Sequence, residues 1–495
     1  MLNQKVSPEE VKKIPSFGLS LSVFLLCAFT IGFSVIKLGV DAHIPMIISA
    51  GICAFVGTIV LKNPWSEMQK GISDGINTAL IPIIILMLVG LLVGSWIASG
   101  TVPTLIYFGL KILSPEFFLI ATLFLCSIVA LATGSSWTTA GTVGLALMGV
   151  GSALGIPAPM TAGAVVSGAY FGDKMSPLSD TTNLAPAIAG GDLFDHIRAL
   201  MWTTIPTFII AGVVYTIMGF NFSGDLSSVE QISLISTTLD TNFSLGLLTM
   251  IPPAFILFAA AKKLPAIPSL IVGVILAGAI AIGVQGVTFT KLIAIIHYGF
   301  TSETGVAVVD KLLSRGGLDH MMWTISLILC ALSFGGIMEK CGFLESILGT
   351  LGKMIRKPSS LIGSTLASSF LANVFLGDQF LGIIVPGRTF KPAFDKMGLA
   401  PRMLSRTLED SGTLTSALIP WTACGAYMYG VLGVDAFSYA PYALINWICP
   451  ILAYVITVMG IGIFWQNADG TISRRKDNAP SPTIAAEPKV STEMA

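Results

Sequence analysis

The sequence predicts an all-α polytopic membrane protein with two inverted repeats of about five transmembrane helices, each repeat carrying a re-entrant hairpin and a broken helix. The first observation is composition: 54% of the 495 residues are hydrophobic and 11% are charged, whereas an average soluble domain is roughly 25% charged. The second is that charged residues concentrate near the two ends, leaving long apolar runs between them. The third is that polar breaks interrupt these runs in both halves. A soluble fold is excluded because the chain lacks the polar surface that water requires.

The sides of the membrane are predicted from the basic residues, because Lys and Arg are retained in the cytoplasm. The segment 223–242 holds Asp225, Glu230 and Asp240 but no base, so we expect it outside. Lys311 and Arg315 fit this orientation poorly. The basic clusters that we expect inside are Lys12/Lys13, Lys62/Lys70, Lys262/Lys263, Lys353/Arg356/Lys357, Arg388/Lys391/Lys396/Arg402/Arg406 and Arg474/Arg475/Lys476.

This orientation divides the chain and places both termini in the cytoplasm. The first apolar run begins at residue 17, is about one crossing long and has no evident cleavage site, so it is an uncleaved helix. An odd number of crossings on each side of the acidic segment makes the two halves inverted. The expected organisation is a cytoplasmic N-terminus (1–16), transmembrane repeat 1 (17–224), an external linker (225–242), transmembrane repeat 2 (243–468) and a disordered cytoplasmic tail (469–495).

Polar breaks in the apolar runs are the candidate functional elements. One pair of breaks lies at 133–139 and 373–379, and a second pair at 172–183 and 409–416. Non-helical chain at membrane depth is tolerated only where it is buried in protein or lines a wet cavity. Glycine beside Ser, Thr, Asn and Asp lets the helix unwind, and the freed carbonyls and helix ends face an ion. A hard monovalent cation prefers such oxygen ligands. Each half therefore predicts a hairpin tip and a broken helix.

Four aspartates adjoin these breaks: Asp173, Asp180, Asp378 and Asp410. An aspartate at a helix centre costs roughly 2.5–3.5 kcal/mol on insertion scales. A carboxylate that holds either a proton or Na⁺ is the minimal device for exchange. Structural alternatives remain for three of them: Asp173 paired with Lys174 at a helix end, Asp180 as a helix cap, and Asp410 at a wet helix start. The hydroxyl groups near residue 135 could form hydrogen bonds between helices instead of binding an ion.

The motifs at 133–144, 168–183, 373–379, 385–388 and 409–413 resemble those of the NhaC-type Na⁺/H⁺ antiporters, in unbroken order from about residue 17 to 465. That family includes sodium–lactate/proton–malate antiporters and looks like a branch of the ion transporter superfamily. The resemblance implies Na⁺ and substrate sites at two hairpin tips and two broken helices, and a homodimer.

Carried onto this chain, the resemblance implies a set of binding residues grouped into two Na⁺ sites. One site would comprise Ser135, Asp180, Thr182 and Asn183, and the other Asn373, Asp378, Asp410 and Thr413. Asp173 and Arg388 are additional candidates, with Arg388 as an anchor for an organic anion. The complete set of expected ion- or substrate-binding residues is Ser135, Ser136, Thr138, Asp180, Thr182, Asn183, Asn373, Asp378, Asp410, Ser411 and Thr413.

The function predicted is a secondary antiporter that exchanges Na⁺ or Li⁺ for H⁺ across a bacterial inner membrane. No G-x-x-x-x-G-K-[ST] motif for ATP is present, so an ion gradient supplies the energy. The first alternative adds a small organic anion of the malate/lactate type, and the remote alternative is an intramembrane aspartyl protease. The expected partners are the lipid bilayer, Na⁺ and H⁺. A formal net charge of zero gives no indication of nucleic acid, and no cofactor is expected.

Overall fold

The structure, a computed structural model, describes residues 15–222, 226–353, 355, 357–467 and 471–474. The first half comprises α1 (Phe17–Gly32), α2 (His43–Phe55), α3 (Trp65–Thr78), α4 (Leu80–Ala98), α5 (Thr101–Ile112), α6 (Pro115–Thr133), α7 (Ser136–Thr139), α8 (Leu145–Ala153), α9 (Ala158–Met175), α10 (Asp180–Ala189), α11 (Leu193–Phe220) and α12 (Leu226–Asn242). The segments 1–14 and 475–495, which include most of the expected N-terminus and tail, lie outside the described residues.

The second half is also almost entirely helical. It comprises α13 (Ile251–Ala261), α14 (Ala266–Gly283), α15 (Phe289–Tyr298), α16 (Ala307–Leu313), α17 (Leu318–Cys341), α18 (Phe343–Lys353), α19 (Pro358–Leu376), α20 (Gln379–Met397), α21 (Pro401–Leu408), α22 (Leu414–Ser416), α23 (Ala423–Leu432), α24 (Ala436–Tyr439) and α25 (Leu444–Val458), followed by a short antiparallel pair, β1 (Trp465–Gln466) and β2 (Ile472–Ser473). The π-helical segments Phe33–Lys37, Val56–Val60, Ala140–Gly144 and Glu409–Thr413 and the 3₁₀ segments Leu247–Met250 and Ala440–Tyr442 extend or join these helices.

Eight helices in the described part of the chain are long and apolar enough to cross a membrane, and the number rises to ten if each of two bent pairs is one span. The bent pairs are Ile232–Asn242 with Leu247–Ala261, at 98°, and Ala436–Tyr442 with Leu444–Val458, at 59°. Large apolar side chains such as Phe29, Phe55 and Ile209 are exposed around the helices, as expected of a lipid-facing surface. The prediction of an all-α polytopic membrane protein is confirmed. The segment expected to be a linker is α12, a helix.

A helix–turn–helix unit repeats in the two halves at the predicted hairpin tips. Both α6 and α19 begin with proline and run for 19 residues. Both end at a glycine in the left-handed conformation, Gly134 (φ 68°) and Gly377 (φ 71°), 243 positions apart. This conformation disfavours residues with a Cβ, so glycine is required at the turn. The next residues, Ser135 and Asp378, are extended and cap the following helices with their side chains.

The broken helix repeats at the same spacing. In the first half α9 breaks before Ser179, whose side chain caps α10; in the second half the chain breaks before Thr422, which caps α23. Both short helices have ten residues and end at a left-handed glycine, Gly190 and Gly433, again 243 positions apart. Both hairpin tips and the first broken helix are therefore present where the sequence predicts them, whereas the second-half break follows Ser416 and does not lie at 409–416. The repeated element order supports the two-repeat architecture.

The correspondence between the halves differs from the expected pairing of the breaks 172–183 and 409–416. At the spacing of 243 positions, Ser135 corresponds to Asp378, whereas Asp180 corresponds to Ala423. Asp410 lies in the π-helical segment Glu409–Thr413, inside a continuous helix, and the break comes later, between Ser416 and Thr422. A π-helical turn keeps its backbone hydrogen bonds, so the polar run at 409–416 bulges the helix without interrupting it.

Close packing of α9 against α6 places the broken helix next to the first hairpin tip. A Cβ at Gly168 would lie 2.7 Å from the Cβ of Cys126, and one at Gly172 would lie 2.6 Å from the Cβ of Ala130. Glycines four positions apart on one helix face let two membrane helices approach closely. Because Gly172 is pressed against α6, the next residue, Asp173, is placed beside the start of α7.

Candidate functional site

The two hairpin tips and the first broken helix converge on one cavity of about 620 Å³. Three carboxylates line it, those of Asp173, Asp180 and Asp378, together with one lysine, Lys263. The lining is completed by hydroxyls, by the stacked rings of Trp137 and Tyr427, and by apolar side chains of α4, α13 and α14. A cavity lined by an excess of one charge attracts the opposite charge, so this cavity favours cations.

At the first hairpin tip, the start of α7 is held by side-chain oxygens. The hydroxyl oxygen of Ser135 accepts a hydrogen bond from the N–H of Thr138 (3.1 Å). Asp173 Oδ2 accepts one from the N–H of Ser136 (2.9 Å). The tip and the broken helix are therefore joined by a direct hydrogen bond at the cavity wall.

At the second hairpin tip, Asp378 takes the place of Ser135. Its Oδ1 accepts hydrogen bonds from the N–H groups of Phe380 (2.8 Å) and Leu381 (3.1 Å). The side chain is only 5% exposed. Its other carboxylate oxygen makes none of these capping contacts, so it is available to a ligand in the cavity.

Asp180 and Asp173 differ in exposure although both line the cavity. Asp180 begins α10 and is exposed, and the helix is capped by Ser179. The alternative of Asp180 as the helix cap is therefore wrong. Asp173 is 7% exposed, and its neighbour Lys174 is fully buried and pairs with Asp410. The alternative of an interfacial Asp173–Lys174 pair is wrong too, because successive helix residues point in different directions.

Of the predicted binding residues, Ser135, Ser136, Thr138, Asp173, Asp180 and Asp378 line the cavity. The others are held elsewhere by their own contacts. Thr182 donates to the carbonyl oxygen of Lys174 (3.0 Å), and Asn183 donates to that of Ser179 (2.7 Å). The residues that do not line the cavity are Thr182, Asn183, Asn373, Asp410, Ser411, Thr413 and Arg388.

Four second-half residues in this group pack inside the helix bundle: Asn373, Asp410, Ser411 and Thr413. Asn373 donates to the carbonyl oxygen of Gly412 (2.7 Å), and Ser411 donates to that of Leu366 (2.7 Å). Arg388 is exposed, so the cationic group of the cavity is Lys263 and not Arg388. The expected grouping into two separate Na⁺ sites, one for each half, is not the arrangement of this structure, which places Ser135, Asp180 and Asp378 around one cavity.

Asp410 belongs to a buried ionic cluster behind the cavity. Lys174 donates to its Oδ1, the Thr203 hydroxyl donates to the same atom (2.8 Å), and Arg406 Nε lies 3.7 Å from its Oδ2. The side chains of Lys174, Arg406 and Asp410 are fully buried. The alternative of a wet helix start at Asp410 is therefore wrong.

A family model described as the Na⁺/H⁺ antiporter family matches residues 168–461. A Na⁺/H⁺ antiporter NhaC from Alkalihalophilus pseudofirmus is 42% identical over 454 residues, covering 92% of this chain and 98% of that protein. This chain belongs to the Na⁺/H⁺ antiporter family. The family identified from the sequence motifs is confirmed.

Other proteins similar to this antiporter-family member are named for different activities. A malate-2H⁺/Na⁺-lactate antiporter from Bacillus subtilis is 37% identical, covering 92% of this chain and 96% of its own length. The solved structure of MtrF from Neisseria gonorrhoeae, described as one of a class of antimetabolite efflux pumps, is 15% identical over 90% of this chain and 96% of its own. Its TM-score of 0.38 is too low to establish a common fold.

Glu409 is the buried acidic residue of this antiporter-family member that the sequence prediction omitted. It is fully buried, and neither carboxylate oxygen has a hydrogen-bond partner among the described residues. The sequence offered one signal, a second carboxylate beside Asp410. That signal is ambiguous, because adjacent carboxylates also occur at exposed helix starts.

Cysteine accessibility tests which predicted residues face water. We expect Thr138→Cys, at the cavity wall, to react with a small charged thiol reagent and to be protected by saturating Na⁺. Thr182→Cys should react only at the rate of local opening, because the native side chain is fully buried. Both variants need a Cys424→Ser background, since Cys424 also lines the cavity. Rapid labelling at position 182 with none at 138 would contradict the cavity assignment.

Proposed function

We propose that this protein is a secondary antiporter that exchanges Na⁺, or Li⁺, for H⁺ across a bacterial inner membrane, with both termini in the cytoplasm. The observation that carries the proposal is the convergence of Asp173, Asp180 and Asp378 on one cavity at the hairpin tips and the broken helix. Membership of the Na⁺/H⁺ antiporter family supports it. The clusters of Lys and Arg at the expected cytoplasmic ends of the helices support the orientation.

The cation-binding residues proposed are Asp173, Asp180 and Asp378, with hydroxyl ligands from Ser135, Ser136 and Thr138. Carboxylate, hydroxyl and carbonyl oxygens suit a hard cation. Asp173 and Asp378 are nearly buried, so a charge on either is poorly solvated by water, and a bound cation or proton offsets that cost. Alternating binding of Na⁺ and H⁺ by the protein, combined with movement of the hairpins relative to the bundle, would give exchange. No cofactor enters this scheme.

A second candidate function is exchange that also carries a small organic anion. It is favoured by the cavity itself, because about 620 Å³ is far more than a bare Na⁺ needs and Lys263 supplies a cationic group at the wall. The similarity to a malate-2H⁺/Na⁺-lactate antiporter supports the same candidate. The two aspartates of the aspartyl-protease alternative, Asp173 and Asp378, both line the cavity. The family match, however, supports transport.

Purified protein in liposomes that contain a pH dye separates the candidates. We expect an outward Na⁺ or Li⁺ gradient to move protons inward, with K⁺ inactive as the matched cation. Malate and lactate are added in separate arms with Na⁺ held equal on both sides. If only the organic anions move protons, the Na⁺/H⁺ proposal fails and the organic-anion candidate replaces it. If no arm moves protons, both fail.

A further inference from the structure

Glu409 is a buried carboxylate for which the cation site in the cavity has no role. It opens the π-helical segment Glu409–Thr413, and its relative exposure is 0%. Both of its oxygens lack hydrogen-bond partners in the part of the chain that the structure describes, as does the hydroxyl of Thr413. A π-helical bulge inside an α-helix frequently marks a functional site. The unpartnered groups on this bulge therefore indicate a ligand.

An ionised carboxylate in this position would be unfavourable, because the free-energy cost of burying an unpaired charge far exceeds that of burying a neutral polar group. The basic residues nearby do not satisfy it. In the described residues the ion pairs of Lys174 and Arg406 are both with Asp410. When the cavity holds no cation, Glu409 must therefore be neutralised by a ligand of its own, either a proton or a metal cation.

The surroundings favour the proton over a metal cation. The polar neighbours of Glu409 are the hydroxyls of Thr413 and Thr181, and Lys174 contributes a positive charge. A hard cation needs several oxygen ligands and is repelled by the ammonium group. A protonated carboxyl group needs a single acceptor, which either threonine hydroxyl can supply.

Thr181 connects Glu409 with the cavity. Its side chain lines the cavity and lies 3.1 Å from the hydroxyl of Ser179, and it is also a neighbour of Glu409. Asp173, at the cavity wall, is among the charged groups that act on Glu409. A charge that enters the cavity therefore acts on Glu409 over a short distance, through protein where screening by water is weak.

We propose that Glu409 is the proton-binding group of the exchange cycle, distinct from the carboxylates that bind the cation. The inference rests on the proposed Na⁺/H⁺ exchange and deepens it. When Na⁺ enters the cavity, the O–H bond of the Glu409 carboxyl group breaks and its proton passes by way of the Thr181 hydroxyl to water. One positive charge arrives with Na⁺ and one leaves with the proton, so the net charge of the site does not change. The charged groups that act on Glu409 are Asp173 and Lys174 on α9. Behind them, Asp180 on α10 acts on Asp173, while Asp410, Cys449 on α25 and His196 on α11 interact with Lys174, and Arg406 interacts with Asp410.

Proton release on Na⁺ binding tests the inference directly. Detergent-solubilised protein in weakly buffered solution receives Na⁺, and bound Na⁺ and released protons are measured in parallel. We expect Glu409→Gln to bind Na⁺ but to release about one proton fewer per bound Na⁺ than the native protein. The decline of Na⁺ affinity toward acid pH should become flatter in this variant. Glu409→Asp, which keeps a titratable group, should restore proton release.

Two comparisons separate the possible failures. Glu303→Gln, at an exposed position, is the matched control and should release protons like the native protein. If Glu409→Gln binds Na⁺ and releases the native number of protons, Glu409 is not the proton-binding group. If the native protein itself neither binds Na⁺ nor releases protons, the proposed function fails instead. Should Glu409→Gln not fold, Thr413→Val takes its place, and an unchanged pH dependence of Na⁺ affinity in that variant overturns the inference.

Discussion

Asp378→Asn is expected to lower Na⁺-driven proton transport at subsaturating Na⁺ by at least about 100-fold. Two unit charges about 4 Å apart interact by about 4 kcal/mol at a protein-like dielectric constant, and each 1.4 kcal/mol corresponds to about tenfold in affinity. Asparagine is as good a helix cap as aspartate, so α20 should begin normally. The measurement is the initial rate of proton movement in liposomes at matched protein density.

Asp435→Asn is the matched control for this variant. Asp435 caps α24 by accepting hydrogen bonds from the N–H groups of Phe437 (2.8 Å) and Ser438 (3.3 Å), the same geometry as Asp378, but it does not line the cavity. We expect normal transport from it. An Asp378→Asn protein with the native transport rate would remove Asp378 from the cation site.

The main effect of Asp410→Asn should be to destabilise the fold, because Asp410 belongs to the buried ionic cluster and does not line the cavity. The change leaves the buried ammonium of Lys174 and the guanidinium of Arg406 without their shared carboxylate. Loss of one partner from a buried ion pair costs about 3–5 kcal/mol. The measurement is thermal unfolding in detergent, where we expect a large fall in Tm for Asp410→Asn and a smaller one for Lys174→Met, because Arg406 and Thr203 still hold Asp410 in that variant.

The double variant Lys174→Met/Asp410→Asn should be more stable than Asp410→Asn alone, since the uncompensated ammonium is gone. Asp395→Asn is the control, because it removes the carboxylate of an exposed pair with Lys391, worth less than about 1 kcal/mol. If Asp410→Asn unfolds at the native temperature but is inactive, Asp410 has a direct role in transport and its structural assignment here is wrong.

The hairpin tips show which structural features could be predicted from the sequence. The breaks at 133–139 and 373–379 were recognisable because glycine and polar residues interrupt apolar runs there. These are local requirements of the backbone, so they are written in the sequence. The correspondence of Ser135 with Asp378 was missed, because serine and aspartate can play the same capping role with no identity between them.

The aspartates show where prediction from the sequence stops. Asp180 and Asp410 have similar neighbours in the sequence, yet Asp180 is exposed in the cavity and Asp410 is buried against Lys174, 236 positions away. Thr182 and Asn183 looked like cation ligands, but their side chains bond to nearby carbonyl oxygens. Which side of a helix faces the cavity depends on packing between helices that are distant in sequence, and local composition does not encode it.

The amino-acid sequence was enough to identify a helical membrane protein of the Na⁺/H⁺ antiporter family, with breaks at two hairpin tips and in the first-half broken helix. Hydrophobicity, glycine and capping residues act over a few positions, so a single chain displays them. Only the packed bundle shows that Asp173 and Asp378 share a cavity, that Lys174 neutralises Asp410, and that the carboxylate oxygens of Glu409 have no hydrogen-bond partner among the described residues. Those facts depend on burial and charge pairing between distant helices, which exist only after the bundle has packed.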